Sequence, residues 1–299
     1  MRRVAGLLAA AWTASIACAP AELSAQHRDG PRPIAAGRSL WTEELTWMEL
    51  RDLIAAGWTT VIIGTGGVED NGPYVVGGKH NYVLQTVMPA IARKIPRSLL
   101  APVVKFVPEG QIEPAADGHM RFPGTIGVEE ATFEALLSDI ARSYRAHGFT
   151  DIILIGDSGG NQPGMRNVAA ALNERWAREG SKAHVHFLAE YYEEDMWSYA
   201  FLKQLGITQV DETPGQPRDQ PTHTRNGMHD DVYYEAQMAV QDPSLIRWAQ
   251  RERAGLLSLH GVDLRPHDRL IDIGRKLAEY RAGITARAFA ASQRRLRGR

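Results

Sequence analysis

Thr59-Thr60-Val61-Ile62-Ile63-Gly64-Thr65-Gly66-Gly67-Val68-Glu69 runs from a short, β-branched, continuously apolar segment straight into glycines and an acid. A run of that kind is the mark of a strand covered on both faces. The glycine-rich part continues to Asn81 and gathers six glycines around Glu69 and His80. Asp151-Ile152-Ile153-Leu154-Ile155 repeats the pattern and ends at Gly156-Asp157-Ser158-Gly159-Gly160-Asn161. In open parallel sheets ligands sit at the carboxyl ends of strands. Both glycine-rich stretches occupy that position, so they are expected to share one site.

Outward from these strands, helical spacing alternates with strand-like runs. A helix through Met48 to Ala55, capped by Thr42 or Thr46 and ended by Gly57, precedes the first strand. Further helices are expected over Tyr82 to Lys94, Val128 to His147 and Arg166 to Arg178, with strands at Ala101 to Val107 and Ala183 to Leu188. The acidic, aromatic run Glu190 to Asp195 comes next. Residues 209 to 228, rich in Pro, Thr and Gly, read as a long active-site loop, and helices over Val232 to Arg253 and Arg269 to Arg294 close the chain. Alternation of this kind argues for an α/β fold with a mostly parallel sheet and helices on both faces.

The 299 residues, 44% hydrophobic and 23% charged, suffice for one large domain, expected over 39–299. The net charge of −1 holds no basic excess to attract nucleic acid; the arginines from Arg294 to Arg299 read as a solvated end. Arg2 and Arg3, the apolar run Val4 to Ala17 and the small residues up to Ala25 read as a signal peptide cut before Gln26, too short for a membrane span. Residues 26–38 then form a mobile, Pro- and Gly-rich entry. The single cysteine, Cys18, lies in the leader, so a chain cut there has no thiol, and thiol catalysis and disulfides drop out. A competing reading cuts before Cys18 and acylates it as a lipoprotein anchor. Removing residues 1–25 takes away two arginines and Glu22 and leaves a formal charge of −2. Either route exports the protein, to the periplasm or beyond the cell.

The order of motifs resembles the creatininase (creatinine amidohydrolase) family. Leu45-Thr46-Trp47 begins the helix, and Gly67-Val68-Glu69-Asp70-Asn71-Gly72-Pro73-Tyr74 matches the family's Gly-Ser-x-Glu-Gln-His-Gly-Pro-His. Phe122-Pro123-Gly124-Thr125-Ile126 matches its Phe-Pro-Gly-Thr-Ile, and Gly156 to Asn161 sits where it has Asn-Gly-His-Gly-Gly-Asn. His229, followed by Asp242-Pro243, falls at its His-Ala-Gly. The resemblance covers roughly residues 40 to 285. It implies a three-layer α/β/α sandwich, often assembled into homo-oligomers, whose two-metal site activates water against a small, often cyclic amide. Of five ligand positions only Glu69 is kept. The others are Asn71 for histidine, His80 for the bridging aspartate, Ser158 for histidine and Gly160 for glutamate.

Several readings of these residues stand side by side. Glu69 and His80 can meet on one divalent ion, zinc or manganese, with Asp157 as a third ligand. Alternatively Glu69 and Asp157 cap the helices that follow them. Asn71, Tyr74, Ser158 and Asn161 are expected against the small-molecule substrate, and His229 with Asp231 in proton transfer. Ser158 as a nucleophile with His229 as base is a further reading. The leading expectation is an exported metal-dependent hydrolase of small amides; the rival is a metal-free binding protein or inactive relic of the same fold.

Overall fold

The computed structural model describes residues 28–113, 117–193, 201–206, 232–259 and 262–298. The leader with Cys18, the loop at 209–228, and His229 and Asp231 lie outside the described residues. The chain divides into two units, Met1–Gly37 and Arg38–Arg299. In the first, residues 28–37 hold turns and bends, with Arg32 Nη1 donating to the carbonyl of Ile34 at 2.7 Å.

The second unit is built on a four-stranded parallel sheet. Its strands are β1 (Thr60–Thr65), β2 (Ser98–Leu100), β3 (Asp151–Gly156) and β4 (His184–Phe187), in the order β2-β1-β3-β4. Every residue of β1 and β3 is buried, as two covered faces require. Alternation along each strand sends neighbouring side chains to opposite layers. Val61, Ile63, Ile152 and Leu154 enter one core with α1 (Trp47–Ala55), α3 (Glu130–Ala146) and α4 (Gln162–Arg178). Ile62, Ile153 and Ile155 enter the other, with α2 (Lys79–Lys94) and α8 (His267–Arg297). The result is the expected three-layer α/β/α arrangement.

Local chemistry sets the ends of α1. Thr46 caps it: its hydroxyl accepts from Glu49 N, while Thr46 N donates to the Glu49 carboxylate at 2.8 Å, a closed capping box. Gly57 stops it with φ 86°, a left-handed conformation that favours glycine. α2 crosses β1 so closely that a Cβ at Gly64 would meet Met88 Sδ at 2.6 Å.

Two expectations need correction. Ala101–Val107 is not a strand: pairing ends with β2, and Val104 and Val107 keep only isolated bridges to Thr65 and Gly127. Pro102, which has no N–H to give a ladder, follows the point where regular pairing stops. The helix expected over Val232 to Arg253 is two, α6 (Val232–Gln241) and α7 (Trp248–Arg253), because Pro243 lies between them. The run at Glu190 begins with a single turn, α5 (Glu190–Glu193).

Candidate active site

The loop after β1 is shaped by what presses on it from both sides. A Cβ at Gly66 would meet Asn81 Oδ1 at 2.1 Å, and one at Gly67 would meet Glu109 Oε1 at 2.1 Å. Asn81 clamps Gly67, accepting from its N at 3.2 Å and donating to its carbonyl at 2.7 Å. Asn161, fully buried, donates to the carbonyls of Thr65 and Gly66 at 3.0 and 2.8 Å and so ties the loop after β3 to the loop after β1. The Phe-Pro-Gly-Thr loop docks through Thr125, whose hydroxyl accepts from Asp70 N at 3.1 Å. Both glycine-rich stretches thus meet in one place, as their positions after adjacent strands require.

Glu69, His80 and Asp157 come together there, all nearly fully buried. His80 lies between the two acids: Nε2 is 2.8 Å from Glu69 Oε1 and Nδ1 is 2.8 Å from Asp157 Oδ2. Lys79, the first residue of α2, is fully buried with Nζ 3.1 Å from the same Glu69 oxygen and 4.7 Å over the Tyr234 ring. Asp157 also accepts from the Tyr191 hydroxyl at 2.8 Å and from Arg281 Nη1 at 3.1 Å. Glu109 is buried against the same loop at Gly67, and His119 Nε2, on a side chain 25% exposed, stands 3.5 Å from Glu69 Oε2.

The three side chains meet, but through the imidazole ring. Glu69 and Asp157 occupy opposite sides of one imidazole ring, so the three do not face a common point where an ion could sit. Among the described residues, no group of three His, Cys, Asp or Glu side chains could hold a metal ion. Neither acid is a helix cap; their oxygens go to side chains.

The remaining predicted residues divide. Asn71 is buried and donates to the carbonyls of Glu69 and Val76 at 3.1 Å each, so its amide folds its own loop. Tyr74 lies 5.7 Å from Arg251, which is paired with Glu235 in a fully buried couple. Ser158 is 9% exposed, and its hydroxyl has no hydrogen bond to a histidine among the described residues.

Sequence reasoning gave no role to Lys79, Glu109, Tyr234 and Arg281, and singled out Tyr191 only within the run Glu190 to Asp195. One signal was available: Leu277, Ala278, Ala282, Thr285 and Ala288 recur on the buried face of α8, and Arg281 falls on that face. A charge in an apolar stripe implies a buried partner.

The two shifted groups set a pH dependence. Burial and then the negative charge of Glu69 push the Glu109 carboxyl up to about 9. Burial, and to a lesser degree Lys79, work against charge on His80, but Glu69 and Asp157 outweigh them and lift the imidazole to about 9. Each group binds more protons folded than unfolded below that value. Their contribution to stability is therefore complete at pH below the ordinary values and is lost as pH rises toward about 9. The denaturant midpoint is expected to fall over that range, and Glu109→Gln, which keeps the shape of a neutral carboxyl, to flatten part of the fall. A midpoint that stays constant would contradict the assignment.

Comparison with known proteins gives one family. The family model described as creatinine amidohydrolase matches residues 43–272. A creatinine amidohydrolase of Pseudomonas putida is 26% identical over 118 residues, 40% of this chain and 44% of that enzyme, so the match spans less than half of the enzyme's length. Among solved structures, a manganese form of creatininase is 19% identical, covering 86% of this chain and 98% of its own, with a TM-score of 0.56. A zinc–zinc form of a creatininase mutant is 19% identical, covering 87% and 98%, with a TM-score of 0.55. At these identities the structural likeness is one of fold.

Proposed function

The chain belongs to the creatininase family of hydrolases, and from that premise we propose that it hydrolyses an amide or related C–N bond of a small molecule above the carboxyl ends of β1 and β3. The observation that carries this is two carboxyls buried at one loop: Glu69 at the family's glutamate position, and Glu109, whose Oε1 would lie 2.1 Å from a Cβ at Gly67 and whose carboxyl is pushed up to about 9 by burial and the Glu69 charge. Paired carboxyls with separated proton affinities are the equipment of acid–base catalysis.

Glu69, whose Oε1 is held by Lys79 and His80, accepts a proton from the attacking water as its oxygen adds to the carbonyl carbon. Glu109 gives its proton to the departing nitrogen as the C–N bond breaks. The proton on Glu69 then returns to Glu109, the carboxyl with the higher proton affinity, which restores both groups. His119, the part-exposed member, marks the side from which water and substrate reach Glu69 Oε2.

Manganese and zinc are named for relatives and belong to those proteins. The donors here do not fit such a pair, because His80 spends both nitrogens on carboxylates and Asn71 turns its amide nitrogen to backbone carbonyls. Proton transfer by the protein's own carboxyls takes the place of a metal-activated water in this reading.

The test is release of ammonia or amine from a panel of small linear and cyclic amides. Glu69→Gln and Glu109→Gln are each expected to lower kcat by roughly 10²- to 10⁴-fold. Turnover no greater than that of the Glu69→Gln variant across the panel would sink the hydrolase reading and leave the non-catalytic binding protein, which the loss of family positions at Asn71, His80, Ser158 and Gly160 favours. A fluorophosphonate probe is expected to leave Ser158 unlabelled; labelling there would revive the serine nucleophile.

A further inference from the structure

We propose that the Lys79 ammonium is a built-in cation standing where the family's relatives carry metal, so that this protein keeps its site without a divalent ion. The inference rests on the family reading for the position of Glu69 and on this chain's own geometry for the rest.

Lys79 is fully buried, and its Nζ is 3.1 Å from Glu69 Oε1, the one carboxylate retained from the family's ligands. An ammonium as the first residue of α2 opposes the helix dipole, which favours negative charge at that end. It is held there by Glu69 and by the face of Tyr234 at 4.7 Å. Positive charge is already in surplus: Lys79, Arg281 and the protonated His80 face the carboxylates of Glu69 and Asp157, and all five are at most 3% exposed. A divalent ion added to this buried site would have at most Glu109 left to offset it, and uncompensated charge in a buried site is strongly unfavourable.

The missing ligands cannot return by small adjustment. A Cβ at Gly160, the position of the family's glutamate, would lie 2.8 Å from the carbonyl oxygen of Pro108, so the backbone itself closes that position. At the bridging aspartate's position stands His80, and Asp157 beyond it is engaged by Arg281 and Tyr191. The one retained ligand is engaged by a buried ion pair with Lys79.

The experiment is metal analysis of the purified full-length protein after dialysis against excess zinc or manganese, with its Tm measured with and without a strong chelator. The expected result is metal well below one ion per chain and an unchanged Tm, since a ligand bound only to the folded state would stabilise it. One ion or more per chain, or a fall in Tm on chelation, overturns the proposal. Lys79→Met is expected to lower Tm by on the order of 10 °C, whereas Lys94→Met, on an exposed pair with Glu279, shifts it by about 1 °C or less. Equal shifts for the two variants also overturn it; if Lys79→Met does not fold, the wild-type metal measurement decides alone. Absence of both turnover and metal would end the hydrolase reading and leave the internal cation standing. Turnover together with bound metal would do the reverse.

Discussion

Arg281→Met is expected to cost about 3 to 5 kcal/mol of stability, a fall in Tm on the order of 10 °C. Arg281 is 3% exposed and Asp157 fully buried, with Nη1 to Oδ1 at 3.1 Å; Nη2 donates to the carbonyl of Tyr191 at 2.8 Å, and the guanidinium lies 4.1 Å from the Tyr191 ring. One side chain therefore neutralises the buried carboxylate after β3, fixes the turn at α5 and anchors the middle of α8. Methionine fills similar space without charge, so the loss reports the uncompensated Asp157 rather than a cavity. Tyr191→Phe removes one hydrogen bond to the same carboxylate and leaves the ion pair, and a smaller loss of about 1.5 to 3 kcal/mol is expected. Thermal melts of both variants check the order. Equal losses would mean that the hydrogen bonds to Asp157, and not the positive charge, stabilise it.

The same residue shows how far the sequence could be read. β1 and β3 declared themselves, because five or six β-branched and apolar residues without a polar break have few other uses, and the glycines after them marked where backbone comes close to other atoms. The meeting of Glu69, His80 and Asp157 followed from strand order alone. What could not be read was the direction of each side chain's partner. Asp157 and Arg281 are 124 residues apart, and nothing local to either announces the other. Lys79 beside His80 at a helix start looks like an ordinary solvated lysine, and Glu109 in Val107-Pro108-Glu109-Gly110 looks like a loop acid, because burial of a charge is decided by tertiary partners. Glu69, His80 and Asp157, read from the sequence as one cluster, do come together. What the sequence did not give was their geometry: here the imidazole has an acid on either side and joins them by hydrogen bonds.

Gly274→Ala is expected to destabilise strongly, and Gly283→Ala on the same helix to stabilise. At Gly274 a Cβ would lie 2.0 Å from the carbonyl oxygen of Ala236 and 2.9 Å from Val240 Cγ2, so α8 and α6 could keep their contact only by moving apart. Overpacking of this kind costs about 1 to 3 kcal/mol where side chains can yield, and here the obstacle is backbone, so the upper end or beyond is expected. At Gly283 the nearest atom is the flexible end of Arg287 at 3.5 Å, so alanine meets no clash and gains about 0.5 to 1 kcal/mol from the lost freedom of the unfolded chain. Opposite signs in denaturant melts test the packing directly; a neutral Gly274→Ala would show that the helices are farther apart than described. The consequence reaches the site. α6 carries Tyr234, whose ring faces the Lys79 ammonium and stands edge-on to His80 at 5.2 Å. Spreading α6 from α8 withdraws that ring, so Gly274→Ala is expected to lower any turnover by more than its loss of folded protein explains, while Gly283→Ala leaves turnover per folded molecule unchanged.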